Sequence, residues 1–115
     1  MKALSKLAAD LEQRARTGAV VSYNELAREY GQPRVTPENW HRHPFFIPFG
    51  LMDDEDLSKG LPLRTALVYS KVLNRPGHGF FLTLQKSSGI AISESSQADE
   101  WIVELDRLRK HYGSS

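Results

Sequence analysis

The sequence predicts an α+β fold: a small winged helix-turn-helix-like domain with N-terminal helices, a short β-hairpin or small sheet, and a C-terminal helix. Three observations predict it. Ser22 and Glu25 stand three apart just ahead of Leu26, Ala27 and Tyr30, which is the spacing of a capping box opening a helix. The run from Arg64 to Val72 is rich in β-formers and enters Asn74, Arg75, Pro76 and Gly77, all strong turn formers. The stretch from Gln97 to His111 carries an apolar stripe, with acids at its start and bases at its end. A chain of 115 residues is right for one domain, 1–115, around one core.

The elements follow in order. Leu4, Leu7, Leu11 and Ala15 recur at helical spacing, so a helix is expected over Lys2–Thr17, ended by Gly18. The helix that Ser22 caps stops at Gly31 and Pro33. A third helix is expected at Thr36–His43, with Pro37 in its first turn and Pro44 limiting it. The run Phe45, Phe46, Ile47, Phe49, Leu51, Met52 reads as buried helix, bent at Pro48. It leads into an acidic knot, Asp53–Asp56, which is unfavourable at a helix C-terminus and so opens a new turn or binds something positive.

Arg64–Val72 is the best strand of the chain. The glycines of Pro76–Phe81 suit a turn with positive φ. Phe80–Gln85 fits either the returning strand of a wing or a short helix, and a smaller strand is expected at Gly89–Ile92. In the last helix Ala98, Trp101, Ile102, Leu105, Leu108 and Tyr112 form the core-facing stripe, with Ser95 or Ser96 as its cap.

Composition narrows the chemistry. With no cysteine, disulfides, thiolate metal sites and cysteine nucleophiles are excluded. The N-terminal stretch is amphipathic, unlike a signal peptide, and no run is long enough to span a bilayer, so a cytoplasmic protein is expected. The net charge of +1 makes no general case for a polyanion, but no acid occurs from Leu57 to Ser93, where Lys59, Arg64, Lys71, Arg75 and Lys86 lie. Either that segment makes a locally positive surface or acids from elsewhere in the fold balance it.

Three kinds of function are weighed on these residues. For nucleic-acid binding, the helix over Thr36–His43 would read a groove and the turn at Asn74–Gly79 would be the wing. The contact set is then Arg34, Asn39, Arg42, Arg64, Lys71 and Arg75. For protein binding, exposed members of the Phe45–Met52 run would form the patch, with Trp40 and Tyr69 as anchors. For catalysis there is little. His41 and His43 are two apart, a poor spacing for joint metal ligation on a helix, and are read as surface or capping residues. No nucleophile or phosphate-loop motif occurs, which leaves a metal-dependent nuclease using Asp53 and Asp56 as the remaining enzymatic option. No catalytic residue, metal or cofactor is expected.

Two resemblances add to this reading. The stretch GAVVSYNELAREYGQP is similar to the helix-turn-helix opening of the alkyltransferase and alkyltransferase-like DNA-repair domain, with Asn24 where that family has Gly. LPLRTALVYSKVLNRPGHGFF resembles the place where the family carries its Pro-Cys-His-Arg-Val strand. Here the matching residues are Tyr69, Ser70, Lys71 and Val72; the cysteine and histidine are missing, so the resemblance implies a DNA-binding fold without alkyl transfer. The set Trp40, His43-Pro44, Phe49-Gly50, the acidic run Asp53–Asp56, Leu61-Pro62, Arg64-Thr65 and Pro76-Gly77-x-Gly79-Phe80-Phe81 also resembles a group of small bacterial and prophage proteins. That implies a regulator or accessory factor of bacterial or mobile-element origin. The favoured expectation is non-enzymatic nucleic-acid binding, and the alternative is an accessory or inhibitor module acting on a host or defence complex.

Overall fold

The computed structural model describes residues 2–113. Its elements are α1 (Leu7–Thr17, entered through a 3₁₀ turn at Leu4–Lys6), β1 (Val21–Ser22), α2 (Tyr23–Glu29), α3 (Phe46–Lys59), β2 (Val68–Tyr69), α4 (His78–Ser88) and α5 (Gln97–Gly113). Further 3₁₀ turns lie at Trp40–Arg42, Arg64–Leu67 and Glu94–Ser96. The fold is therefore mostly helical with a small two-stranded sheet.

The segment 62–68 runs through the middle and is buried throughout. α1 and α5 pack on each other and on this segment, and α3 covers it from another side. Leu7, Leu11 and Ala15 of α1, Leu108 of α5, and Phe49 and Met52 of α3 close around Leu63, Ala66 and Leu67. A buried segment that is not regular sheet leaves its own amides without ladder partners, and those must be satisfied locally. Side chains do it. Leu63 N–H donates to Glu104 Oε2 at 2.8 Å, Arg64 N–H donates to Asp56 Oδ2 at 3.0 Å, and Ala66 C=O accepts from Trp101 Nε1 at 2.7 Å. This is why two carboxylates, Asp56 and Glu104, are buried at the centre of a small domain.

The local signals hold. Ser22 Oγ accepts from Glu25 N–H and the Glu25 carboxylate accepts from Ser22 N–H, completing the capping box. α2 is then clamped to α1: Arg14 Nη2 meets both Glu29 oxygens at 2.8 Å, and Tyr30 OH donates to Asp10 at 2.9 Å. Burial alone would raise the Asp10 carboxyl, but hydrogen bonds from Tyr30 and Arg14 outweigh it and hold it below the ordinary value.

Several expectations are corrected. Thr36–His43 is no α-helix; it is a turn followed by the 3₁₀ residues Trp40–Arg42, because Thr36 and Asn39 bond each other's backbone and close a tight turn. The apolar run and the acidic knot form one continuous helix, α3. Pro48 is its third residue, where a missing N–H removes no intrahelical bond, so it marks a beginning and no bend. Gly60, at φ 66°, is where α3 stops.

The strand expected over Arg64–Val72 shrinks to Val68–Tyr69, and its partner is β1, in parallel, with Val21 opposite Val68 and Ser22 opposite Tyr69. No hairpin returns, since 80–85 lies inside α4 and 89–92 holds no strand. The intervening turn is tied by a bridge between Ser70 and Arg75 and by Asn74 N–H on Ser70 C=O at 2.7 Å. Its positive-φ residue is Asn74, at 60°, not a glycine. In α5 the inward face is Gln97, Trp101, Glu104, Leu105, Leu108 and Tyr112, while Ala98 and Ile102 point outward. The winged helix is not confirmed by these elements: among the described residues there is no returning hairpin strand and no α-helix over Thr36–His43.

Candidate binding surface

The first turn of α2 is the junction between two distant segments. Asn24 Oδ1 accepts from Val35 N–H at 2.7 Å, which fastens the strap 31–45. Glu25 faces Lys71 at 3.7 Å, and the Tyr23 hydroxyl meets Gly77 N–H at 3.4 Å, which fastens the turn 70–77. Tyr23 also packs edge-on against Trp40 at 5.6 Å and beside Phe49 at 6.3 Å. Burial raises its hydroxyl pKa.

The strap is stiffened from within. His43 is buried; Phe45 N–H donates to its Nδ1 at 3.0 Å, which puts the ring proton on Nε2, and Nε2 donates to Pro33 C=O at 2.7 Å. Of the surface and capping roles expected of it, His43 thus takes the second, a buried brace whose ring accepts the N–H of Phe45 at the entry to α3, while His41 is exposed. Asn39 spends its amide on Arg34 C=O at 2.7 Å and its carbonyl on Thr36 N–H at 2.9 Å, so it shapes the strap and has little left for a base edge.

Of the remaining expected contacts, Arg34 and Arg42 are exposed on this strap, with Arg42 Nη1 resting 3.2 Å from Glu38 C=O. Lys71 is exposed on the turn and faces Glu25. Arg75 is half-buried: its Nε donates to Gln97 Oε1 at 2.9 Å and its Nη2 lies 4.0 Å from Glu94. Arg64 does not belong with them. Its side chain is 6% exposed and lies in the interior against α3, where Nε sits 3.2 Å from both Asp56 oxygens. Only Oδ2 is well aligned, so Oδ1 and Arg64 Nη2 lack a hydrogen bond, although Nη2 is 3.4 Å from Glu55. The acidic knot does bind something positive, and it is this guanidinium.

The expected protein anchors are packed inward. Trp40 is half-buried among Tyr23, His43, Phe46 and Phe49, and Tyr69 lies 5.9 Å from Trp101. The apolar run divides: Phe45, Phe49 and Met52 are core, while Ile47 and Leu51 are 70% and 65% exposed and Phe46 is 37% exposed. Sequence reasoning also missed Arg28, exposed on α2 with Glu25 near it. The signal available for α3 was its spacing: 45, 49, 52 and 56 form one stripe, so Asp56 belonged to the core face and required a buried partner.

The two carboxylates of the nuclease option are both engaged in the fold. Asp56 serves Arg64, and Asp53 accepts from Thr65 Oγ1 at 2.7 Å. Burial lifts the Asp53 carboxyl to about 6, against that hydrogen bond, with Asp56 and Asp54 adding to the rise. Among the described residues no group of three or more His, Asp or Glu side chains is placed to hold a metal ion, and no helix is long and apolar enough to cross a membrane. No family model, no curated protein and no solved structure matches this chain.

Proposed function

We propose that this chain is a non-enzymatic nucleic-acid-binding protein whose contact surface is the start of α2 with the strap and the turn fastened to either side of it. The observation that carries this reading is the junction at Tyr23, Asn24 and Glu25, which fastens both the strap, where Arg34 and Arg42 are exposed, and the turn, where Lys71 is exposed. Arg28 is exposed on α2 itself, and Arg75, in the same turn as Lys71, is partly held by Gln97. Phosphate contacts are what exposed cations such as these would make. The stretches that resemble the alkyltransferase-like domain are also neighbours here, through the parallel pairing of β1 and β2. That supports a role as a regulator or accessory factor working on DNA or RNA.

The test is a salt titration of binding to a short labelled duplex. With about three phosphates neutralised, log K falls against log salt with a slope of about −3. Arg34→Ala with Arg42→Ala reduces the slope by about 2. Absence of binding at low salt removes the reading. A second reading, a protein-binding accessory module on the same scaffold, is favoured by the exposed Phe46, Ile47 and Leu51 of α3.

A further inference from the structure

We propose that the outer face of α3 docks a basic amphipathic helix of a protein partner, with its apolar side chains over Ile47, Gly50 and Leu51 and its lysines or arginines against Asp54 and Glu55. The inference rests on the protein-binding reading and is independent of the nucleic-acid surface. Ile47, Gly50 and Leu51 stand at i, i+3 and i+4, so they share one side of the helix, opposite Phe49, Met52 and Asp56. Gly50 is inside the helix, where glycine is unfavourable, yet a Cβ there would meet nothing within 4 Å. It leaves a shallow hollow between two exposed apolar side chains, the shape that receives a knob from a second helix.

Charge selects the occupant. One turn further along the same side come Asp54 and Glu55, both exposed. Among the described residues Asp54 has no cationic partner, and Glu55 lies 3.4 Å from both Lys59 and Arg64. A segment with apolar residues followed by bases is complementary to this order, and the acids repel an anionic lipid surface.

The experiment titrates the full chain with labelled helical peptides of ~16 residues that share their leucines and carry Lys, Gln or Glu at the polar positions. The Lys peptide binds, the Gln peptide binds about tenfold more weakly, and the Glu peptide weaker still. Leu51→Gln abolishes binding, and Asp54→Asn with Glu55→Gln removes the preference for Lys; all three positions are exposed, and circular dichroism checks that the variants stay folded. Equal binding of Lys and Gln peptides overturns the basic partner but leaves protein docking standing. Binding that survives Leu51→Gln, or no binding by any peptide, overturns the docking face itself. Self-association of the native chain that Leu51→Gln abolishes overturns the proposal in favour of a second copy.

Discussion

The two sides of α3 each carry exceptions to the usual order of apolar inside and polar outside. Its inner side buries a carboxylate, Asp56, and half-buries a second, Asp53, beside Phe49 and Met52; its outer side leaves Ile47 and Leu51 in water. The inner acids are there because the buried segment 62–68 needs acceptors: Asp56 takes Arg64 N–H and its guanidinium, and Asp53 takes the Thr65 hydroxyl. The outer apolar residues have no such work within the chain. Hydrophobic character alone therefore does not account for the acids on the side of this helix that faces the core. The unmet hydrogen bonds of the segment beneath it do.

The largest expected effect tests the inner side. Arg64→Ala leaves Asp56 buried without its cation and lowers stability by about 3–5 kcal/mol, read from urea unfolding. A loss under about 1 kcal/mol would mean that the pair is solvated and the side is not an interior one.

Asp53 gives the next effect and fixes its sign. Its pKa is raised from the ordinary 3.8 to about 6, so the folded chain holds that proton more tightly than the unfolded chain. The stability this contributes is complete below the ordinary value and is lost as pH rises through about 6. Asp53→Asn keeps an acceptor for Thr65 and avoids the ionisation, which raises stability at neutral pH by on the order of 2 kcal/mol. The gap in melting temperature between Asp53→Asn and the native chain should then widen as pH rises from about 4 through about 6; a gap that does not change with pH would refute the assignment.

The outer side predicts smaller changes. Gly50→Ala adds a Cβ into open space inside a helix and should stabilise by about 0.5–1 kcal/mol. The same methyl fills the hollow, so it should weaken binding of the Lys peptide while raising the melting temperature. Ile47→Gln and Leu51→Gln should each move unfolding free energy by no more than about 0.5 kcal/mol, since neither side chain is buried. A loss of several times that size would show that the outer side is packed after all.

Legibility in the sequence follows the range of the interactions. The α2 capping box, the stop at Gly18 and the long α5 could be read because each rests on residues within about one helical turn of each other. Thr36–His43 reads as a helix in sequence because Pro37 and a polar run imitate a helix start, whereas Thr36 and Asn39 bond into a turn. The strand was overread because Thr65, Leu67 and Val68 look β-forming wherever they are buried. Of the candidate surface, Arg34, Arg42 and Lys71 were visible as exposed cations. Arg64 was indistinguishable from them until its carboxylate partner on α3 was known.

By itself, then, the amino-acid order determined the end of α1, both ends of α2 and the start of α5, through caps, glycines and prolines that act on their immediate neighbours. It also determined that the chain has no thiol chemistry. The tertiary structure alone decided what lies beneath what: that 62–68 threads the centre, that β1 and β2 pair in parallel, and that Asp56, Arg64 and Glu104 are interior while Ile47 and Ile102 are not. The physical reason is that a buried amide takes whatever acceptor the fold brings to it. For Leu63 that acceptor is Glu104, separated by 41 residues, beyond the reach of any local pattern.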